Sequence, residues 1–318
     1  MRQSITFTRT ARRVAIVTAF CALTADAAFA QQAASAKAVA DWSALDQALG
    51  RKGAAQPGDV MKYSFPRGDM QVTVNGVQLK PALALGSWVA FKRVGKGQAM
   101  AMGDLVLAEQ EVGPVMKALQ AGGIEQTALH NHLQMESPRV MYMHVSAHGD
   151  AAKIATTIRS ALGQTATPME APSAPALAAA IDLDTAALAQ ALGSAGKVNG
   201  GVYQVSFPRS QRVTDHGMEI PPSMGVATAI NFQPTGGGKA AITGDFVMIA
   251  SEVNPVIRAL EANDITVTAV HSHMLTESPR LFFMHFWAND DATTLARGLR
   301  AALDKMAVKP AAKKTASK

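Results

Sequence analysis

Cysteine is almost absent: the 318-residue chain has one, Cys21. A single cysteine excludes an internal disulfide framework and any zinc or iron–sulfur site built on several thiolates. Aromatic residues make up only 5% and charged residues 17%. No run of about 18 apolar residues occurs, so no membrane-spanning helix is expected. A Gly-rich phosphate loop, a nucleophile elbow and an HExxH helix are also missing, and Gly236-Gly237-Gly238 reads as a loop between strands. What is present is apolar, at 48%, enough to build cores and to exclude wholesale disorder. The length suits two domains better than one.

Positive charge is confined to the ends. Lys and Arg outnumber Asp and Glu by 30 to 24. The first thirty residues hold four Arg and one Asp, and residues 305–318 hold five Lys and no acid; 21 basic and 23 acidic residues lie between. With no basic face and no interleaved aromatics, nucleic acid is rejected as a partner. Arg2, Arg9, Arg12 and Arg13, the short apolar stretch Val14 to Leu23 and Ala28-Phe29-Ala30 form the pattern of a secretory signal peptide over residues 1–30. That pattern predicts a periplasmic or secreted protein. Loss of Cys21 with the signal would suit an oxidising compartment.

The body of the chain is written twice. Gly103 to His144 aligns with Gly244 to His285 without a gap, and 21 of the 42 positions are identical. Phe65-Pro66-Arg67 matches Phe207-Pro208-Arg209 upstream. One repeat is placed at 38–165 and the other at 178–306. A Pro/Ala linker lies at 166–177, and a disordered basic tail is expected over 307–318. Within one repeat, short alternating runs predict strands over 61–67, 71–74, 88–93, 99–107, 124–132 and 139–146. Helical spacing of Val112, Val115, Met116 and Leu119, with Pro114 early and Gly122-Gly123 after the end, predicts a helix, and Ala151 to Leu162 predicts another. The fold class is therefore α+β: two homologous domains, each a mostly antiparallel sheet with packed helices, related by a pseudo-two-fold. The β-α-β-β-α stretch hints at a ferredoxin-like half.

Six of the eight histidines fall at equivalent places: His130, His132 and His144, then His271, His273 and His285. Residues two apart on a strand share a face. A hairpin centred on Pro138 would set His144 opposite His132, with Glu136 at the mouth of the turn; the same construction about Pro279 gathers the second triplet beside Glu277. Three imidazoles and a carboxylate form a ligand set for a divalent metal, zinc first, with iron, manganese or copper also accommodated. Buried hydrogen-bonded histidines are the structural alternative. Tyr142 shares the histidine face in the first repeat, where the second has Phe283. Arg139 and Arg280, with Arg67 and Arg209, are expected to pair internally with Glu136 and Glu277, the alternative being a bidentate grip on an anionic ligand. Glu111 and Glu252 read as helix caps, and Met141, Met143 and Met284 as core filler on the opposite face. Asp104 and Asp245 recur after Gly without a specific role.

The HNH–ESPR–MH and HSH–ESPR–MH segments, with FPR upstream and GD–EV–P between, resemble the LppY/LpqO-like family, exported bacterial proteins defined as a domain of unknown function. The resemblance covers nearly all of the chain after residue 30, in both copies. It implies export and supplies no activity. The residues themselves point to a metal-dependent enzyme of hydrolase type, with Glu136 or Glu277 as ligand or general base and Tyr142, Arg139 and Arg280 beside the reacting group. A non-catalytic module for a small molecule or metal, and a structural or interaction scaffold, are the alternatives.

Overall fold

The computed structural model describes residues 42–170 and 180–309. The signal-peptide segment, most of the linker and residues 310–318 lie outside the described residues. Each repeat builds a six-stranded antiparallel sheet. In the first, β1 (Ala54–Gln56), β2 (Val60–Pro66), β3 (Gly86–Gly95), β4 (Gln98–Ala108), β5 (Glu125–His130) and β6 (Val140–Asp150) lie in the order β1-β2-β3-β4-β6-β5. The second repeats that order with β7 (Lys197–Asn199), β8 (Val202–Pro208), β9 (Ala227–Gly236), β10 (Lys239–Met248), β11 (Thr266–His271) and β12 (Phe282–Asp291). Because β6 separates β4 from β5, the β4–helix–β5 connection is a split β-α-β unit, the ferredoxin-like element that the sequence hinted at.

The helices are α1 (Ser43–Leu49), α2 (Val112–Ala121), α3 (Ala151–Leu162), α4 (Thr185–Leu192), α5 (Ala250–Glu261) and α6 (Ala292–Leu303). Asp150 caps α3 by accepting from the Lys153 amide, and Asp291 does the same for α6 with Thr294, satisfying amides that a helix start leaves unpaired. Arg67 and Arg209 are buried and grip Glu111 and Glu252 at 2.7 and 2.6 Å. These glutamates, at the starts of α2 and α5, also accept from the amides of Ala108 and Ile249. They are caps, as expected, and the bidentate partners of Arg67 and Arg209 as well. Glu136 and Glu277 are not those partners. Glu252 also takes the Ala307 amide at 2.8 Å, and Val308 bridges to Arg209. The first residues of the expected tail are therefore docked on the sheet.

Alternation sorts the strand residues onto two faces. On β12, Met284, Phe286 and Ala288 join Ile242, Phe246, Leu260, Leu295 and Leu299 in a core under α5 and α6. The odd positions, Phe283, His285 and Trp287, face the other repeat. There Phe283 packs with Val60, Ala90, Met100 and Met102 of the first half, and Trp287 packs with Leu83, Leu85, Val106 and Tyr142. Each sheet thus wears its helices on one face and meets the opposite repeat on the other. Burying a ring of this kind contributes roughly 2–3 kcal/mol, so the junction between repeats is part of one folded body.

Candidate functional site

The histidines sit on the inner faces. The register sets Ala128 opposite His144 and His130 opposite Tyr142, and likewise Ala269 opposite His285 and His271 opposite Phe283. The hairpins are therefore centred two residues before the prolines, not on Pro138 and Pro279. The cause in the first repeat is Glu136-Ser137, which leaves the hairpin to pair with Thr73-Val74. His132 and His273 lie past the strand ends, in the loops, rather than opposite the third histidine of their set.

The two triplets are not two sites. Ring centroids of His130 and His271 are 3.7 Å apart, those of His132 and His285 3.7 Å, and those of His144 and His273 3.6 Å. Each pair joins one repeat to the other. Within the first repeat His130 lies 5.0 Å from both His132 and His144, and within the second His271 lies 4.8 Å from both His273 and His285. Six imidazoles thus form two stacked triangles about the pseudo-two-fold. Tyr142 stacks on His132 at 3.3 Å and Phe283 on His273 at 3.5 Å, closing opposite ends.

The carboxylates beside the cluster are Asp104 and Asp245. Asp104 lies 3.8 Å from both His132 Nε2 and His144 Nε2, and Asp245 lies 3.7 Å from His273 Nε2 and 4.0 Å from His285 Nδ1. These separations are too long for hydrogen bonds. Glu136 instead accepts from the Val140 amide and the Asn131 side chain, and Glu277 from the Leu281 amide and Arg280. Both glutamates pin their own loops through Oε1, and Glu136 Oε2 is left buried without a partner. The expected pairing of Arg280 with Glu277 is present at 3.3 Å, whereas Arg139 is exposed and faces Glu109 at 3.8 Å. Tyr142 donates its hydroxyl to the Ala84 carbonyl at 3.1 Å.

Burial governs the electrostatics. It drives His132, His144, His273 and His285 well below the ordinary imidazole value, with the neighbouring histidines adding to the effect. It holds His130 down at about 4 and His271 at about 3. The same burial pushes Asp104 up to about 7 and Asp245 well above the usual carboxylate range, Asp245 further because Asp104 is near. Burial likewise lifts Glu136 to about 7 and the Tyr142 hydroxyl upward. Neutral imidazoles keep a lone pair free. His285 shows the tautomer: Nδ1 donates to the Gly244 carbonyl at 2.7 Å, leaving Nε2 as the acceptor. Gly244 is tightly placed for this, since a Cβ there would sit 1.9 Å from the Ala229 oxygen.

Each of the six histidines has at least one buried ring nitrogen with no hydrogen-bond partner, and so do Asp104 Oδ1 and Asp245 Oδ1. Buried polar atoms are normally paired, and each exception needs a cause. The ligand atoms of His130, His132 and His144 all lie within 4.8 Å of one another, as do those of His130, His271, His273 and His285. The donor set fits a transition metal. Beside it, Trp88, Met102, His144, Met224, His273 and Met274 line a cavity of about 10 Å³, room for one water-sized occupant. Asp104 and Asp245 carried a signal in the sequence: each is the one charged residue deep inside a strand that is otherwise apolar or small.

Comparison with curated proteins finds no match. Among solved structures, EtuB from Clostridium kluyveri is 10% identical, with 79% of this chain and 90% of that one covered and a TM-score of 0.23. A trimeric bacterial microcompartment shell protein, PduB, is 12% identical over 80% of this chain and 89% of that one, with a TM-score of 0.21. Likenesses this low carry no functional argument. A family match covers residues 43–164 and again 186–305. The chain therefore belongs to the family described as Domain of Unknown Function (DUF1259), and it carries that domain twice.

Proposed function

We propose that this protein is an exported metal-binding module whose two repeats together hold a transition metal in the six-histidine centre. The observation that carries the reading is the set of buried, unpartnered imidazole nitrogens, on histidines that fall into two groups sharing His130, each group with its ligand atoms within 4.8 Å of one another. Left unpaired, each costs on the order of 1–3 kcal/mol; as ligands they would be satisfied together. His130, His271, His273 and His285 would supply the nitrogens of one such group, and His130, His132 and His144 those of the other. Asp104 and Asp245 supply carboxylates at the edge. Zinc and copper suit an imidazole-rich set of this kind.

The adjoining cavity takes one water-sized occupant, which supports the binding reading. Of the general bases that the sequence suggested, Glu277 and the Oε1 of Glu136 hold their own loops, while Glu136 Oε2 is buried without a partner. The export half of the reading rests on the pattern of residues 1–30 and on the resemblance of the HxH–ESPR–MH segments to the LppY/LpqO-like proteins.

Metal analysis of the full chain, produced without a histidine tag, tests the centre. Stoichiometric zinc or copper that disappears in His130→Ala/His271→Ala, with the circular dichroism spectrum retained, is the expected result. A metal-free wild type that refuses both ions while the variant unfolds would leave the histidines as structural glue in a scaffold.

A further inference from the structure

Two histidines stand outside the central cluster, His148 and His216, and they meet each other. His148 is on β6, four residues past His144 on the same face, about 13 Å along the strand. His216 is in the ribbon of the second repeat formed by Thr214–Asp215 and Met218–Glu219. Their ring centroids are 5.2 Å apart. Asp215 lies between them in chemistry: it is buried, its Oδ1 accepts from the Thr276 hydroxyl at 2.6 Å, and its Oδ2 is 3.2 Å from His216 Nδ1. One ligand atom from each of His148, Asp215 and His216 falls within 4.8 Å of the others.

This constellation breaks the duplication. The positions equivalent to His148, Asp215 and His216 in the other repeats are Asn289, Val74 and Asn75. The three donors therefore occur once per chain, off the pseudo-two-fold, and come from both halves. His216 also takes a left-handed backbone, at φ 47°, the same conformation as Asn75 at φ 48°. Asparagine and histidine both tolerate that backbone. The Thr276 hydroxyl orients the Asp215 carboxylate, the kind of outer support that positions metal ligands.

We infer that His148, Asp215 and His216 form a second metal site, at the surface, that takes a divalent transition metal such as zinc. Two imidazoles and one carboxylate match the three-ligand sets of open zinc sites, in which a further position is left to solvent or an incoming donor. The site is independent of the central cluster and shares no residue with it.

The test uses full-length, tag-free protein stripped with a chelator, dialysed against micromolar zinc and assayed for zinc per chain. The double variant His148→Asn/His216→Asn adopts the residues of the opposite repeat, and asparagine tolerates the left-handed position. It is expected to hold one zinc fewer than wild type. The same loss of one ion is expected in the His130→Ala/His271→Ala background, which separates this site from the central one. Equal zinc with and without the two asparagines, in both backgrounds, overturns the proposal. His148→Asn alone, a change at an exposed strand position, serves as the check should the double variant lose its fold; retention of all zinc there overturns it equally.

Discussion

Thr127 Oγ1 donates a 2.6 Å hydrogen bond to the main-chain carbonyl of His273, a residue of the opposite repeat. Thr268 Oγ1 returns it to the carbonyl of His132, also at 2.6 Å. Both threonines occupy β-bulges, skipped in the pairing between Gln126 and Ala128 and between Val267 and Ala269. A bulge re-aims the side chain of its extra residue, and here it points each threonine across the junction at the loop that carries a histidine. Thr127→Ala and Thr268→Ala are each expected to lower stability by about 1 kcal/mol, read by thermal unfolding. The double variant should lose metal more readily than either single one, because both HxH loops are released.

The carboxylates divide by role. Asp104→Asn and Asp245→Asn are expected to weaken metal uptake with the fold retained, since both side chains lie at the histidines. Glu136→Gln is expected to leave metal content unchanged and to lower the melting temperature, since its oxygen accepts the Val140 amide. Metal analysis and calorimetry on the three proteins side by side separate the assignments; a loss of metal in Glu136→Gln would return that glutamate to the centre.

Tyr142→Phe removes the hydrogen bond to the Ala84 carbonyl and reproduces the Phe283 of the second repeat. A cost of about 1 kcal/mol with undiminished metal binding is expected. A large fall in metal affinity would show that the hydroxyl reaches the ion.

Glu252 gives a pH prediction. Burial acts to raise its carboxyl, but the hydrogen bonds from the Arg209 guanidinium and the Ile249 and Ala307 amides outweigh it and hold the group below the usual carboxylate value. A folded-state value lower than the unfolded one stabilises the protein above the unfolded value and is lost as pH falls through the folded one. Wild type should therefore lose melting temperature more steeply than Glu252→Gln on acidification below the ordinary glutamate range near 4.3. Other groups titrate alike in both proteins, so the difference between the two curves reports Glu252.

Gly244→Ala should fail more severely than most single-methyl changes. Its Cβ would lie 1.9 Å from the Ala229 carbonyl oxygen, a main-chain clash that a rotamer change does not relieve. Overpacking of this kind costs about 1–3 kcal/mol or more, and the displaced Gly244 carbonyl would also release His285 Nδ1. Low soluble yield or a sharply reduced melting temperature is the expected readout.

Much of this was legible before the fold. The offset of 141 residues located both repeats, periodicity located α2 and α3, and the parity of His130, His132 and His144 put them on one face. The register was not legible. It depends on Glu136-Ser137 being drawn off to Thr73-Val74, which leaves no local mark. The union of the two triplets was also beyond reach, because stacking of His132 on His285 is decided by how Phe283 and Trp287 pack against the first repeat. Asp104 and Asp245 do carry a mark, a lone charge inside an apolar strand. His148 and His216 have no histidine counterparts in the opposite repeat, so the repetition does not mark them.

The six-histidine centre straddles the axis that relates the repeats, which has an evolutionary corollary. A chain with a single copy would complete the same centre by associating with its twin, and would have to present identical residues from each side. Fusion lifts that obligation. Tyrosine can stand at 142 where phenylalanine stands at 283, and a histidine can be installed at 216 while asparagine stays at 75, so the joined molecule is free to become lopsided where a homodimer is not.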